Sequence, residues 1–276
     1  MNQLIDLFSI NIFLDLCILT LKLYITTMSQ HIELVVLDMA GTTVTDQHEV
    51  EACFAKAARL TGIEATDEEI LAVQGLAKRF VFQLFWRKQL GESHPEVEQR
   101  VDESYALFKE ILEEHYHTHP VTPTEGCLAL FNYLRENKIK IALTTGFYRV
   151  VTDIILGKLG WLEGLDDNRV GTASTVIQAS ISSDEVEQGR PHPLMIQKAM
   201  RLLGVADPKY VINAGDTPSD LQSGQAAGVY LNLGVTNGTH TAEQLIGHPH
   251  DALIGSIDEI INVLEEIKQG RLTVKN

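Results

Sequence analysis

The sequence has few cysteines, and the three that it has are far apart. Cys17, Cys53 and Cys127 are an odd number at wide spacings. This pattern fits neither a disulfide framework nor a zinc site, whose cysteines come in close pairs. It is typical of a reducing compartment, so we predict a cytoplasmic protein.

The sequence also lacks a cluster of basic residues. Lys and Arg total 22 against 37 Asp and Glu, which gives a formal net charge of −15. A protein that binds nucleic acid needs a positive surface to meet the phosphates, so we expect no nucleic-acid partner. The acidic balance favours solubility and says little about the substrate.

The longest apolar stretch, residues 4–25, is interrupted by two aspartates and a lysine. Such charges are costly inside a bilayer, which disfavours a membrane anchor. A secretory signal is also a poor match, because a basic n-region and a small-residue cleavage site are missing. We predict that translation begins at Met28 and that residues 1–27 are an apolar extension outside the functional protein. A membrane anchor and a loosely docked amphipathic helix are the alternatives.

Beyond this stretch, short apolar runs alternate with helical patterns. The predicted strands are residues 33–38, 139–145, 210–216, 229–235 and, more weakly, 252–256. The predicted helices between them are residues 127–137, 148–160 and 192–204. Such alternation predicts an α/β fold with a Rossmann-like, doubly wound parallel sheet.

One region has helical patterns and no convincing strand. Residues 49–62, 67–77 and 95–116 are predicted as helices. An all-helical insert after the first strand predicts a cap domain, residues 48–119, on a core formed by residues 28–47 and 120–276. The return linker, residues 117–123, contains two prolines and is a plausible stiff hinge.

Oxygen-bearing side chains end three of the predicted strands. Asp38 ends the first strand, Thr145 the second, and Asp216 a later one. Ligands of open parallel sheets bind beyond the carboxyl ends of the strands, so these side chains are candidates for one site. Each alone has an ordinary explanation, because Asp often caps helices and Thr is common at strand ends.

These residue types suit phosphoryl chemistry with Mg²⁺, which prefers oxygen ligands. Asp38 can offer one oxygen to the metal and the other to phosphorus as a nucleophile. Asp216 would be a second ligand, and Asp220 would orient it or a bound water. Arg190 can hold two phosphoryl oxygens, although a surface arginine is the plainer interpretation.

Four ordered segments carry a family resemblance. DMAGTT (38–43), TTG (144–146), GRPHP (189–193) and GDTPSD (215–220) resemble the motifs of the haloacid dehalogenase superfamily, and most of all its phosphonatase-like branch. The resemblance spans about residues 33–264. It implies a Rossmann-like core with a helical cap, Mg²⁺ and an aspartyl-phosphate intermediate.

The resemblance also implies a role for each matching residue. Asp38 would be the nucleophile, and the metal would be held by Asp38, the Ala40 carbonyl, Asp216 and Asp220. The substrate would be bound by Thr145, Gly146, Arg190 and, from the cap, Gly75.

Position 40 separates the possible reactions. Phosphatases of this superfamily usually have an aspartate there to protonate the leaving group, and Ala40 cannot do so. Phosphonatases instead use a cap lysine that forms an imine with the substrate aldehyde, and Lys78 resembles that lysine. A lysine that only contacts substrate and a solvated helix lysine are the alternatives.

The chain departs from the phosphonatase pattern at three positions, two of them in the cap. Val81 stands where those enzymes have histidine, Phe147 where they have tyrosine (Tyr148 is adjacent), and Gln74 where they have methionine. The core therefore resembles the branch better than the cap does, and the cap sets the substrate.

Three functions stay open from sequence. The first is a hydrolase that acts on a small phosphonate such as phosphonoacetaldehyde, with Lys78 in the imine role. The second is a phosphomonoester phosphatase similar to phosphoglycolate phosphatases, and the third is a non-catalytic or membrane-tethered binding protein. The expected partner is a small phosphorylated or phosphonate substrate. A homodimer is left open and a membrane partner is disfavoured.

Overall fold

A parallel sheet lies at the centre of the part of the chain that is described, residues 31–73 and 76–272 of a computed structural model. Its strands are β1 (Leu34–Asp38), β2 (Lys140–Thr145), β3 (Ala179–Ser182), β4 (Val211–Gly215), β5 (Leu231–Val235) and β6 (Ala252–Ile254). The strand order is β3-β2-β1-β4-β5-β6, and every pair is parallel. The predicted doubly wound α/β fold is confirmed.

The central strands are buried on both faces, which explains their continuous apolar sequences. All five residues of β1 are buried. Leu34 and Val36 share one core cluster with Met195, Ile196 and further residues around them. Because side chains alternate along a strand, the β1 residue between Leu34 and Val36 points to the opposite face of the sheet.

Strand β3 is missing from the sequence prediction. It has four residues, two of them serines, and lies at the edge of the sheet. Such a short run, with little β-branched character, gives no clear strand signal. The other five strands are confirmed, and each of their ends coincides with the predicted end or lies one or two residues inside it.

Helices connect the strands. They are α5 (Cys127–Glu136), α6 (Arg149–Lys158), α7 (Leu194–Leu202), α8 (Pro218–Ala227), α9 (Ala242–Leu245) and α10 (Glu259–Lys268), with short 3₁₀ turns at Ser183–Glu185 and Pro208–Tyr210. Among the described residues, no helix has the length and apolar character needed to cross a membrane. Residues 1–27 lie outside the described residues, so their predicted status stays a prediction.

Four helices follow β1 before the chain returns to the sheet. They are α1 (Glu49–Thr61), α2 (Asp67–Ala72), α3 (Lys78–Leu90) and α4 (Val97–Thr118). The helix predicted over residues 67–77 is too long, because α2 ends at Ala72 and α3 begins separately. Helix α4 also runs to Thr118, so the linker begins later than predicted. The helical insertion is consistent with the expected cap, and its exact boundaries stay a prediction.

The cap helices share an aromatic core of their own. Phe54 of α1 stacks on Phe82 of α3 with ring centroids 4.4 Å apart, and Phe108 of α4 meets both rings edge-on at 6.0 Å. The Trp86 indole N–H donates to Ser104 Oγ at 2.9 Å, so α3 and α4 are also joined by a buried hydrogen bond. Three of the four cap helices are therefore packed as one layer.

The two linkers between cap and sheet run beside each other. Val44 forms an antiparallel bridge with Pro123, and the Thr45 N–H donates to the Thr122 carbonyl at 2.9 Å. The chain thus leaves and re-enters the sheet at one place.

Candidate active site

A cleft of about 410 Å³, partly open to solvent, lies at the carboxyl ends of the central strands. Asp38 and Thr145 end β1 and β2, and Asp216 directly follows β4. Because β1 pairs in parallel with both β2 and β4, these ends meet at one edge of the sheet. The cleft is lined by Asp38, Ala40, Asp46, Val50, Lys78, Thr145, Gly146, Phe147, Arg190, Thr217 and Thr239.

Three buried carboxylates form an acidic cluster at this edge. One oxygen from each of Asp38, Asp216 and Asp220 lies within 4.8 Å of the other two. The Asp216 side chain accepts hydrogen bonds from Thr42 Oγ1 (2.8 Å) and from the Thr239 N–H (2.6 Å). These bonds fix the carboxylate in place.

A second set of contacts holds Asp220. Its Oδ2 accepts from the Thr217 N–H at 3.0 Å and from Thr217 Oγ1 at 2.5 Å, at the start of α8. Its Oδ1 lies 2.6 Å from Nη1 of Arg190 but at an angle that makes no hydrogen bond, so this buried oxygen has no hydrogen-bond partner in the described structure.

Arg190 is the cation that pairs with this cluster. Its Nη1 donates to Asp38 Oδ1 at 2.6 Å, and its Nη2 donates to the carbonyl and Oγ1 of Thr144 at 2.9 and 2.8 Å. It is almost fully buried. The alternative that Arg190 is a surface arginine is therefore excluded, and the guanidinium lies beside the proposed nucleophile.

Burial and mutual repulsion raise the pKa values of the carboxyls. Burial raises the pKa of Asp38 well above its usual range, with Asp220 and Asp216 adding to the effect and Arg190 opposing it. Burial and Asp220 raise the pKa of Asp216 to about 6. Burial opposes ionisation of Arg190, yet Asp220 and Asp38 raise its pKa overall. The cluster is therefore short of positive charge.

These residues fit a divalent cation. Three close carboxylates face one guanidinium, and Asp220 Oδ1 is a buried oxygen without a hydrogen-bond donor. Hard oxygen ligands of this kind suit Mg²⁺. Among the described residues, no other group of three or more metal-binding side chains is found, and the histidines of α4 form none.

The loop after β1 is packed against this cluster. Gly41 has a φ of +86°, and a Cβ there would lie 2.2 Å from Asp216 Oδ2. Glycine is required because the backbone conformation and the close approach both exclude a side chain. Ala40, one residue earlier, lines the cleft, and the role of its carbonyl as a metal ligand stays a prediction.

Thr145 and Gly146 lie at the end of β2, where the sequence predicted a phosphoryl-binding site. Thr145 Oγ1 accepts the Phe147 N–H at 3.1 Å, and the Gly146 carbonyl accepts from Ser183 Oγ at 2.9 Å. Both residues line the cleft. Gly75 lies outside the described residues, so its predicted role is untested.

The cap contributes Lys78, the first residue of α3, which lines the same cleft as Asp38. Burial lowers the pKa of Lys78 to about 8, although Asp46, Glu51 and Asp38 act in the opposite direction. A lysine with this pKa has a larger uncharged fraction near neutral pH than a solvated one, so the interpretation as a solvated helix lysine is disfavoured.

Val81 and Phe147, at two of the positions that depart from the phosphonatase pattern, have side chains without an ionisable proton. Val81 is fully buried, and Phe147 lines the cleft. The Tyr148 hydroxyl donates to Glu113 Oε1 at 2.7 Å, which directs it to α4 of the cap. Burial and this bond raise the pKa of Tyr148.

Asp46 and Thr239 were missed as cleft residues by the sequence analysis. Thr239 lies in the loop after β5, and a loop at the carboxyl end of a parallel strand was a signal that could have found it. Asp46 lies in the linker before α1 and belongs to no motif, so no sequence signal marked it.

Two sequence comparisons give matches to known proteins. Residues 32–228 match the family profile described as haloacid dehalogenase-like hydrolase. Phosphonoacetaldehyde hydrolase of Bacillus cereus strain AH187 is 32% identical over 223 residues, which is 75% of this chain and 77% of that protein. The protein of that name from strain G9842 is 33% identical over the same shares.

Two solved structures share the fold. A hydrolase from Pseudomonas syringae superposes with a TM-score of 0.70 at 18% identity, covering 85% of this chain and 99% of that one. A phosphonoacetaldehyde hydrolase-like protein from Oleispira antarctica gives 0.68 at 18% identity, covering 87% and 94%. The predicted resemblance and the fold are both confirmed.

Proposed function

Because the chain belongs to the haloacid dehalogenase-like hydrolases, we propose that it cleaves the carbon–phosphorus bond of a small phosphonate aldehyde such as phosphonoacetaldehyde. One observation carries the proposal. Lys78, with a pKa lowered to about 8 by burial, shares a cleft with Asp38, while Ala40 stands where a phosphatase needs an acid. The names of the B. cereus relatives support the same substrate class.

The phosphoryl end of the substrate would bind at the sheet edge. Asp38 is the nucleophile, and Arg190, Thr145 and Gly146 hold the phosphoryl oxygens. Mg²⁺, held by Asp38, Asp216, Asp220 and the Ala40 carbonyl, would supply positive charge that offsets the phosphonate and the carboxylates. Arg190 also has a second role, because its bond to Asp38 aims the carboxylate before substrate arrives.

The aldehyde end would react with Lys78. The uncharged amine adds to the aldehyde carbon, and the carbinolamine hydroxyl takes up a proton and leaves as water to give a protonated imine. Asp38 then attacks phosphorus, the C–P bond breaks, and its electron pair moves to the imine nitrogen to give an enamine. Water cleaves the aspartyl phosphate to phosphate and free Asp38, and protonation and hydrolysis of the enamine release acetaldehyde and Lys78.

Reductive trapping tests this function. Borohydride with phosphonoacetaldehyde should inactivate the enzyme and leave a mass adduct on the Lys78 peptide. Lys78→Arg should lose both the adduct and C–P cleavage, because a guanidinium stays protonated. Lys56→Arg, at an exposed lysine of α1, is the matched control and should keep both.

A phosphomonoester phosphatase is the second candidate, and the burial of Val81 and the apolar Phe147 favour it, because the usual phosphonatase partners of the lysine are missing. Efficient hydrolysis of a phosphomonoester panel by both wild type and Lys78→Arg, with no adduct on Lys78, would establish this alternative and refute ours.

A further inference from the structure

Asp46 is a second carboxyl that faces the cleft near Lys78, and the proposed reaction steps do not use it. It lies in the linker between β1 and α1, lines the cleft with Lys78 and Asp38, and is half-buried. When it is ionised, Asp46 raises the pKa of Lys78, and its effect is larger than that of Glu51 or Asp38.

The Asp46 side chain is held by the start of α1. Its Oδ1 accepts the N–H groups of His48 (2.9 Å) and Glu49 (3.2 Å). The Glu49 carboxyl, on the first residue of α1, acts on the pKa of the Asp46 carboxyl.

The surroundings make Asp46 a weaker acid than a solvated aspartate. Burial, followed by Glu49, raises the pKa of Asp46 to about 8, whereas Asp46 contributes to a lowered pKa for Glu49, against the effect of burial. The titratable groups that face Asp46, Glu49 or Lys78 are Asp38 and Asp216 from the sheet edge, Glu51 and Cys53 from α1, and His115 and Tyr116 from α4.

We propose that Asp46 is the acid–base residue of imine formation and hydrolysis at Lys78, an inference that rests on the proposed function. The Asp46 carboxylate accepts a proton from the Lys78 ammonium and frees the amine to attack the aldehyde carbon. The carboxylic acid then gives that proton to the carbinolamine hydroxyl, which leaves as water, and the carboxylate pairs with the protonated imine. The reverse sequence hydrolyses the product imine.

Two features of the cleft favour Asp46 for this role. The residues at the positions of the phosphonatase histidine and tyrosine, Val81 and Phe147, cannot carry protons, and Ala40 cannot either. The pKa values of Asp46 and Lys78 are both about 8, so a proton passes between them at little cost in free energy. Catalysis by a positioned acid or base is most effective under that condition.

The test uses a probe without phosphorus, so that it does not depend on Asp38. Acetaldehyde and borohydride are added to the full-length protein, and the rate of labelling of the Lys78 peptide is followed by mass spectrometry between pH 6 and 9. Asp46→Asn, which keeps an oxygen for the α1 N–H groups, should slow labelling by about 10²-fold. Asp46→Ser, with a hydroxyl oxygen as acceptor, should do the same.

If Asp46 acted on Lys78 only through its negative charge, the Asp46 variants would give the opposite result. Removing the negative charge of Asp46 lowers the pKa of Lys78, which enlarges the uncharged amine fraction and would speed labelling. Glu51→Gln is the matched control, because Glu51 also raises the pKa of Lys78, and it should label at the wild-type rate or faster.

The outcomes separate the two ideas. If the wild type is labelled and Asp46→Asn or Asp46→Ser is labelled just as fast, the role of Asp46 is overturned and the proposed function stays intact. Thermal melting shows that these variants are folded. Absence of labelling at Lys78 in the wild type overturns the imine, and the proposed function with it.

Discussion

At the scale of single residues, Asp38 is the position where a small change should have the largest effect. Asp38→Asn keeps the side-chain size and can still accept the Arg190 hydrogen bond, but an amide is neither nucleophile nor anion. We expect kcat below about 1% of wild type with unfolding midpoints nearly unchanged. Steady-state assays with phosphonoacetaldehyde measure this.

Asp167→Asn is the control for that experiment, because Asp167 is exposed and distant in sequence from every cleft residue. It should retain full activity. If Asp38→Asn kept more than a few per cent of wild-type kcat, attack by Asp38 on phosphorus would be ruled out.

Some of the site could be predicted from single residues, and some could not. Asp38, Thr145 and Asp216 follow apolar runs, and parallel strands bring such ends to one edge. Their meeting at one edge of the sheet follows from that rule, whereas their chemical roles remain predictions. Asp46 and Thr239 lie in loops whose paths depend on tertiary packing, so periodicity cannot locate them.

At the scale of elements, α3 offers a matched pair of phenylalanines. Phe82 is fully buried against Phe54, whereas Phe80 on the same helix is 49% exposed. Phe82→Ala should lower the free energy of unfolding by about 3–5 kcal/mol, through lost burial and a cavity. Phe80→Ala should change it by no more than about 0.5 kcal/mol.

Denaturant unfolding of the two variants measures this difference. Equal losses for both would mean that the aromatic cluster does not stabilise the cap. Because Lys78 begins the same helix, Phe82→Ala should also impair imine trapping more than Phe80→Ala does.

Some helices and strands could be predicted from the sequence more easily than others. Strands β1, β2, β4 and β5 are continuous buried runs and were predicted, whereas β3 has serines at alternate positions. Helix α3 fell within the predicted all-helical insert but was not delimited, because its apolar pattern is poorly segregated: Phe80 and Leu84 are exposed beside buried aromatics. Its first turn also lacks acidic residues, a usual marker of a helix start.

At the scale of the whole molecule, the acidic cluster makes stability depend on pH and metal. The pKa of Asp216 is raised by burial from 3.8 to about 6. Between these values the folded, metal-free protein binds more protons than the unfolded chain, so its stability falls as pH rises through this window. The loss from Asp216 is about 3 kcal/mol at most.

Mg²⁺ should reverse this trend, because a bound cation favours the ionised carboxylates. Thermal melting after EDTA treatment should show the loss between pH 4 and 6, and Mg²⁺ should raise the melting temperature more at pH 7.5 than at pH 5. Asp216→Asn serves as the reference that lacks this titration. A metal response independent of pH, or one retained in Asp216→Asn, would contradict a site built on Asp216.

The paired linkers have a consequence for how the chain folds. Strands β1 and β2 are neighbours in the sheet, yet about a hundred residues separate them, and closing so long a loop costs conformational entropy. Once the cap helices have packed, the bridge between Val44 and Pro123 brings the two ends of that loop together in advance. The sheet then closes over a few linker residues, so early folding of the cap lowers the entropic barrier to pairing the two central strands.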